Sequence, residues 1–384
     1  MSIPTAPTEP NIHPDWIDTP DNLAKLIKIL SNQPLVAVDT ESDSLYSYFE
    51  KVCLIQFSIP NQDFLVDPLA VDISGLAPFF ADMAIQKIFH AAEYDFMSLK
   101  RDYGFIFSNL FDTMLAARIL GWSHYGLGSL LNKHFNIKLD KRFQRYNWGR
   151  RPLSKKALNY ACLDTHYLIP LRELQLKTLL EQNRLREASE SFERMTHVQP
   201  TIKTFDPDDF WRVKHSRDLE PQQQAVLREL FILRDTIARK LDRPPFKIMN
   251  DSTLIDLAKT QPSSLTDLHQ TKGLSTKLIE HDAYALLEAI SQGQTTLPPK
   301  YPVNHHQRPS DKILNRYETL RQWRNDLAAK RGVEPDVIIN NHDLMSIAKK
   351  NPQTMRTLTK IGILGDWQRE TYGQHLLQVL NEHS

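Results

Sequence analysis

A chain of 384 residues exceeds the size at which one hydrophobic core stays efficient, so two or three domains are expected. Hydrophobic residues at 41%, charged residues at 24% and aromatics at 9% are globular proportions that exclude a disordered chain, and no apolar run approaches the ~18 to 20 residues that a bilayer requires. The net charge of +1 hides two opposite local balances: residues 1–100 hold fourteen acidic against five basic side chains, whereas between Lys138 and Lys156 eight cations stand against Asp140 alone.

The amino terminus, MSIPTAPTEPNIHPDW, has neither a basic nor an apolar segment of the secretory kind, and residues 1–20 read as a flexible tail. Cys53 and Cys162 are too few for a disulfide scaffold and too far apart for a zinc knuckle, so a reducing, cytoplasmic setting is expected.

In chain order, Asn22 to Leu30 predicts a short helix, and Leu35 to Val38 a buried strand that ends in Asp39-Thr40-Glu41. Val52 to Ile59 and Phe64 to Val66 follow as strands around a Pro60-Asn61 turn, then a helix near Ile73 to Ala81 and a strand at Lys87 to His90. Helices are predicted at Ala92 to Tyr103 and Thr113 to Leu120, and a long helical stretch at Ser154 to Glu190 with a break or kink at Pro170. The first half is therefore a mixed sheet covered by helices.

From about Pro207 strand signals vanish and the chain reads as all-α. It repeats itself at an offset of 90: Arg234, Ala238, Pro245, Ile248, Asn250, Leu254, Ala258 and Pro262 return as Arg324, Ala328, Pro335, Ile338, Asn340, Leu344, Ala348 and Pro352. The period exceeds that of common solenoids, so two small helical domains are expected, at 207–293 and 308–384, joined by a Pro-containing linker at 294–307.

Asp39 and Glu41 lie two apart at the end of an apolar strand, so both project from one face. Taken alone, such a pair is most simply a polar strand end. In HAAEYDF, Asp95 falls on the apolar stripe of Ala92, Phe96, Leu99 and Tyr103, and a carboxylate aimed at a core needs a partner or a metal. Tyr160 and Asp164 repeat this at i and i+4 on the face of Ala157, Ala161 and Leu168, where a buried Tyr–Asp hydrogen bond is the plain alternative. Jointly, four such acids make hard oxygen ligands for two Mg²⁺ or Mn²⁺ ions, the arrangement used for in-line displacement at phosphorus. No His-Glu-x-x-His or P-loop string is present, His90 reads as a hydrogen-bonded structural residue, and Asp112 reads as a helix N-cap. The basic segment is either a solvated loop or a docking site for an anionic polymer, and Phe143, Tyr146 and Trp148 interleaved with its cations offer stacking faces.

In VAVDTES followed by CLIQFS, in HAAEYDFMSLKRDYG with NLFDTMLAARIL, and in YACLDTHYL, the chain resembles the DEDD exonuclease superfamily, and within it the ribonuclease D group. The resemblance covers about residues 20–190. It implies an RNase H-like α/β exonuclease domain at 21–200 in which Asp39, Glu41, Asp95 and Asp164 hold two divalent cations. Tyr160, with Asn159 where other members carry His, places the chain in the tyrosine branch, and Tyr160 would orient the attacking water. The helical repeats resemble HRDC domains. Asn147 departs from the Asp that many relatives carry before the Trp.

The implied function is a metal-dependent 3′→5′ exoribonuclease that releases nucleoside 5′-monophosphates from RNA 3′ ends, tRNA precursors among them. Substrate contacts are expected from Lys138, Arg142, Arg145, Trp148, Arg150 and Arg151, in a monomer that engages no membrane. The rivals are a DNA exonuclease of the same mechanism and a non-catalytic RNA-binding scaffold. Deleting residues 300–384 is expected to weaken binding of long RNA more than cleavage of a short oligomer.

Overall fold

The structure is a computed structural model that describes residues 13–201, 204–302 and 309–382. Within the first half the chain runs β1 (Asp15–Ile17), α1 (Pro20–Leu30), β2 (Leu35–Ser42), β3 (Val52–Ile59), β4 (Gln62–Val66), α2 (Ala77–Ala81), β5 (Gln86–Phe89), α3 (Glu93–Tyr103), β6 (Leu110–Asp112), α4 (Thr113–Ile119) and α5 (Leu127–Phe135). Three further helices follow: α6 (Lys155–His166), α7 (Leu168–Glu181) and α8 (Leu185–Thr196).

The strands form one six-stranded sheet in the order β1-β4-β3-β2-β5-β6. β1 is parallel to β4, β3 antiparallel to β4, and β5 parallel to both β2 and β6. Strand β3 is buried along its whole length, and Val36, Ala37 and Val38 of β2 are inaccessible to solvent. Continuous apolar runs of this kind mark strands covered on both faces. Helices α3 and α6 both pack on β3, which brings the second and third acidic motifs to the sheet that carries the first.

Three local features depart from the sequence expectation. The tail is shorter than expected, because Asp15–Ile17 pairs with Phe64–Val66 as an edge strand and Pro20 opens α1 behind the N-cap Thr19; residues 1–12 lie outside the described residues. The break in the long helical stretch falls at Tyr167, three residues before Pro170. Proline lacks the N–H that an interior turn needs but sits without cost in the first turn of α7. Strand β6 and helix α5 carry too few residues of clear period to stand out in the sequence.

The helical repeat is a structural one. Helices α9 (Pro221–Lys240), α10 (Pro245–Ile248), α11 (Asp251–Thr260), α12 (Leu265–Gln270) and α13 (Thr276–Thr295) recur as α14 (Asp311–Arg331), α15 (Pro335–Ile338), α16 (Asn341–Lys350), α17 (Met355–Ile361) and α18 (Asp366–Glu382). Each copy contains one buried arginine with equivalent partners. Arg234 Nη1 donates to Met249 O at 3.1 Å and Asp251 Oδ1 at 2.7 Å, and Arg324 Nη1 to Ile339 O at 2.9 Å and Asn341 Oδ1 at 2.8 Å. The long first helix is thereby tied to the start of the third. The expected linker begins late, since α13 runs to Thr295, and residues 303–308 lie outside the described residues.

The chain falls into two compact units that do not follow its order. One contains the sheet, its helices and the second helical copy; the other contains the first copy together with residues 42–51, the excursion between β2 and β3. In the first unit Glu187 of α8, 3% exposed, pairs with Arg331 of α14 at 2.5 Å, and the Glu190 carboxylate accepts from the N–H groups of Trp367 and Gln368 at the start of α18. In the second, Asp242 Oδ1 accepts from the N–H groups of both Tyr48 and Phe49 at 3.0 Å, and the Tyr48 hydroxyl donates to Asp235 at 2.8 Å. Among the described residues no helix is long and apolar enough to cross a membrane.

Candidate active site

Strand β2 alternates its side chains, so Asp39 and Glu41 emerge on one face where the apolar run ends. Helix α6 starts at the N-cap Ser154, whose hydroxyl accepts from Ala157 N–H at 3.2 Å, and its i, i+4 spacing turns Tyr160 and Asp164 to the sheet. Asp39, Glu41 and Asp164 each place a carboxylate oxygen within 4.8 Å of the others. Asp95 sits beside this trio rather than inside it: it is 5% exposed and accepts a hydrogen bond from the Thr40 hydroxyl, on the residue between the two strand acids.

Like charges so close, out of water, cannot all stay ionised. Burial, then Asp95, Asp164 and Glu41, push the Asp39 carboxyl well above the usual range. Burial and the charge of Asp164 do the same to Glu41. Asp95 is pushed up to about 7 chiefly by burial, against the Thr40 hydrogen bond, and Asp164 up to about 8 by burial and Asp95. A set of hard carboxylate oxygens that repel one another and, among the described residues, form no ion pair is the donor chemistry that divalent Mg²⁺ or Mn²⁺ satisfies.

Tyr160, one turn before Asp164 on α6, is 9% exposed. Its ring stacks on Phe143 at 5.3 Å between centroids and on Trp148 at 6.3 Å, each at an interplanar angle of 29°. Burial and the charges of Asp164 and Glu41 push its phenol far above the ordinary tyrosine value, so it remains protonated.

The basic segment divides into an inner and an outer part. Trp148 is 2% exposed and packs against Tyr160 and Cys162 in a core cluster, which removes it as a stacking face for bases. Arg151 also turns inward: its guanidinium donates to both carboxylate oxygens of Asp67, at 2.6 and 2.5 Å, to Cys53 O at 2.7 Å and to Trp148 O at 2.7 Å. These two residues fasten the segment to the sheet. Lys138, Arg142, Arg145 and Arg150 are exposed, and Arg142 forms an ion pair with Asp140 at 2.6 Å.

Thr40, Ser58 and Asp63 support the site and escape a reading of the sequence. Thr40 reads as an ordinary strand residue until its hydroxyl is seen on Asp95. Asp63 of β4 accepts from Ser58 Oγ at 2.5 Å and His166 Nδ1 at 2.8 Å, and Ser58 also bonds Thr165 Oγ1 at 2.7 Å, which pins the end of α6 beside Asp164. His90, pushed down to about 4 by burial, bonds Thr113 Oγ1 at 2.9 Å and is the structural residue expected of it.

Comparison with known proteins gives this geometry its class. The 3′-5′ exonuclease family model matches residues 14–181, and the HRDC domain model matches residues 223–290 and 313–380. The protein is thus a 3′-5′ exonuclease domain followed by two HRDC domains. Ribonuclease D of Bartonella henselae is 30% identical over 367 residues, covering 91% of this chain and 86% of its own, and the chain belongs to the ribonuclease D family. Exosome complex exonuclease RRP6 of Saccharomyces cerevisiae is 32% identical over 284 residues, but the match spans only 38% of that longer protein. The catalytic core of RRP6 from Trypanosoma brucei superposes with a TM-score of 0.69 at 29% identity, over 76% of this chain and 83% of that one. The Escherichia coli RNase D structure, 23% identical with a TM-score of 0.66 over 97% of this chain, shares the fold. Membership of this family makes the chain a hydrolytic 3′→5′ exoribonuclease.

Proposed function

We propose that this protein shortens RNA one nucleotide at a time from the 3′ end and releases nucleoside 5′-monophosphates, with tRNA precursors among its substrates. The observation that carries the reading is the approach of Asp39, Glu41 and Asp164 to within 4.8 Å, with Asp95 alongside. Asp39, Glu41 and Asp164 would hold one Mg²⁺ or Mn²⁺ ion, and Asp39 with Asp95 a second. Such ions would supply Lewis acidity for water activation and for the charge of the leaving 3′-oxygen.

The remaining work falls to the chain. Tyr160, beside Asp164 and Glu41, orients the attacking water by hydrogen bonding. Phe143 and Trp148 hold that ring in place from behind. Lys138, Arg142, Arg145 and Arg150 supply phosphate contacts whose strength falls with added salt. The protein acts as a monomer.

The test is cleavage of a 5′-labelled single-stranded RNA beside the DNA of the same sequence, in Mg²⁺ or Mn²⁺ and with a chelator as control. A metal-dependent ladder that shortens from the 3′ end, stronger on RNA, is expected. The same ladder mainly on DNA makes the enzyme a DNA exonuclease of the same mechanism, and tight RNA binding without cleavage makes it a scaffold. Asp39→Ala and Asp164→Ala are expected to abolish turnover with the fold retained, and Tyr160→Phe to reduce it severely; cleavage by Asp39→Ala at the wild-type rate overturns the assignment.

A further inference from the structure

Asp112, the last residue of β6, is inaccessible to solvent, and four backbone N–H groups from two different helix starts converge on its carboxylate. Oδ1 accepts from Met114 at 2.8 Å and Leu115 at 2.9 Å, which caps α4, and from Ala91 at 3.3 Å. Oδ2 accepts from Ala92 at 2.8 Å. An N-cap of α4 needs only the first oxygen. The second serves α3, whose own N-cap residue, Ala92, has no side chain able to cap it.

The turn so held is a strained one. Ala91 has φ of 65°, the left-handed region that an alanine seldom enters. On one side of it His90 is bonded to Thr113, and on the other Ala92 begins the helix that carries Asp95 in its first turn. Strain of this kind persists only where surrounding bonds enforce it, and here those bonds end on one buried carboxylate.

We propose that Asp112 is a positioning residue for Asp95: by capping α3 as well as α4 with one carboxylate, it fixes the turn at Ala91 and Ala92 and with it the place where Asp95 meets the other acids. The inference rests on the reading of Asp95 as a metal ligand. The Asp112 carboxylate is taken up by the four N–H groups of the two helix starts. It sets the helix whose first turn carries the ligand, as partners behind a ligand do in metal sites generally.

Asp112→Asn separates the two caps. With its oxygen toward Met114 and Leu115, the amide keeps α4 capped and presents an NH₂ group to the Ala92 N–H, donor against donor. Three readouts on the full chain follow. Hydrogen exchange is expected to quicken over residues 91–96 but not over 113–119. Mn²⁺ binding, followed by the electron paramagnetic resonance of the free ion, is expected to weaken at one of two sites, and the Mn²⁺ concentration for half-maximal cleavage to rise by about tenfold. Adding Ala91→Gly, which relaxes the left-handed turn, is expected to restore most of the loss in the double variant.

Wild-type exchange and wild-type Mn²⁺ affinity in Asp112→Asn overturn the proposal, as does equal loss of protection in α4 with no rescue by Ala91→Gly, since that is a folding defect alone. Should Asp112→Asn fail to fold, Ala91→Val keeps the carboxylate and strains the same turn, and the same weakening at one Mn²⁺ site is expected; unchanged binding there also overturns it. Failure of the metal reading itself shows differently: wild-type protein holds no Mn²⁺ and cleaves nothing, while the exchange comparison, which needs no ion, still reads whether Asp112 fixes the turn.

Discussion

At the scale of single residues, the acids at the site oppose the stability of the metal-free fold. Asp95 and Asp164 are raised to about 7 and about 8, so the folded state holds protons that the unfolded chain, with carboxyls near their ordinary ~4, has released. A raised carboxyl pKa means that folding is favoured below the unfolded value and that this contribution is lost as pH rises through the folded values. Metal-free protein is therefore expected to melt at falling temperature between about pH 5 and about pH 8, and Mg²⁺ or Mn²⁺ to raise the melting temperature more at the upper end, because protons no longer compete for the oxygens. Thermal melts at a series of pH values, with chelator and with metal, check this; a metal-induced rise that shrinks as pH increases contradicts it. Arg151 makes a second residue-scale case. Its place in the basic segment suggests a substrate contact, yet it spans Asp67, which is 3% exposed, and the carbonyls of Cys53 and Trp148. Arg151→Ala leaves a buried carboxylate without its partner, and a destabilisation of about 3 kcal/mol in a denaturant titration is expected. Charge reversal at Arg150, exposed and beside it, is expected to leave the melt unchanged and to weaken RNA binding.

At the scale of elements, the packing of helices against one another decides what each module can do. The second HRDC copy is fastened to α4 and α8: Glu187 of α8 is buried against Arg331, Arg118 of α4 reaches Glu334 and Asp336, and Glu190 of α8 caps α18. The second copy thus stabilises the unit that contains the exonuclease sheet, and deletion of residues 300–384 is expected to cost cleavage of short and long RNA alike, contrary to the expectation from sequence. Arg331→Met isolates the effect. It strands the Glu187 carboxylate and is expected to destabilise the unit by about 3 kcal/mol, and Glu187→Gln added to it recovers part of that loss. A calorimetric cycle of the two single variants and the double checks the coupling; additive effects deny it. The aromatic wall behind Tyr160 belongs to the same scale. Trp148 reads as a stacking face because it lies among cations, but α6 covers it, and its ring serves the tyrosine instead.

At the scale of the whole molecule, periodicity and spacing in the chain are enough to expect an α/β domain followed by two copies of a helical module. Apolar runs of β2 and β3, the stripe of α3 and the 90-residue offset are local patterns, and local patterns survive being read one residue at a time. The same holds for the acids: Asp39, Glu41, Asp95 and Asp164 each break an apolar pattern where a charge needs a reason, and the structure brings three of them together with the fourth beside them. Most of the elements, though not β1, β6 or α5, and the four acids as a candidate set are thus legible in the chain alone. Which partners they meet emerges only from packing. The two compact units cut across chain order, since residues 42–51 pack with the first helical copy and the second copy with the sheet. Thr40 on Asp95, Arg151 on Asp67 and Asp112 on two helix starts at once are hydrogen bonds, and all three need a direction and a distance. Burial can be inferred from the pattern of a single element because it depends on which face is apolar. A hydrogen bond across the fold depends on where two elements come to lie, and only the packed chain fixes that.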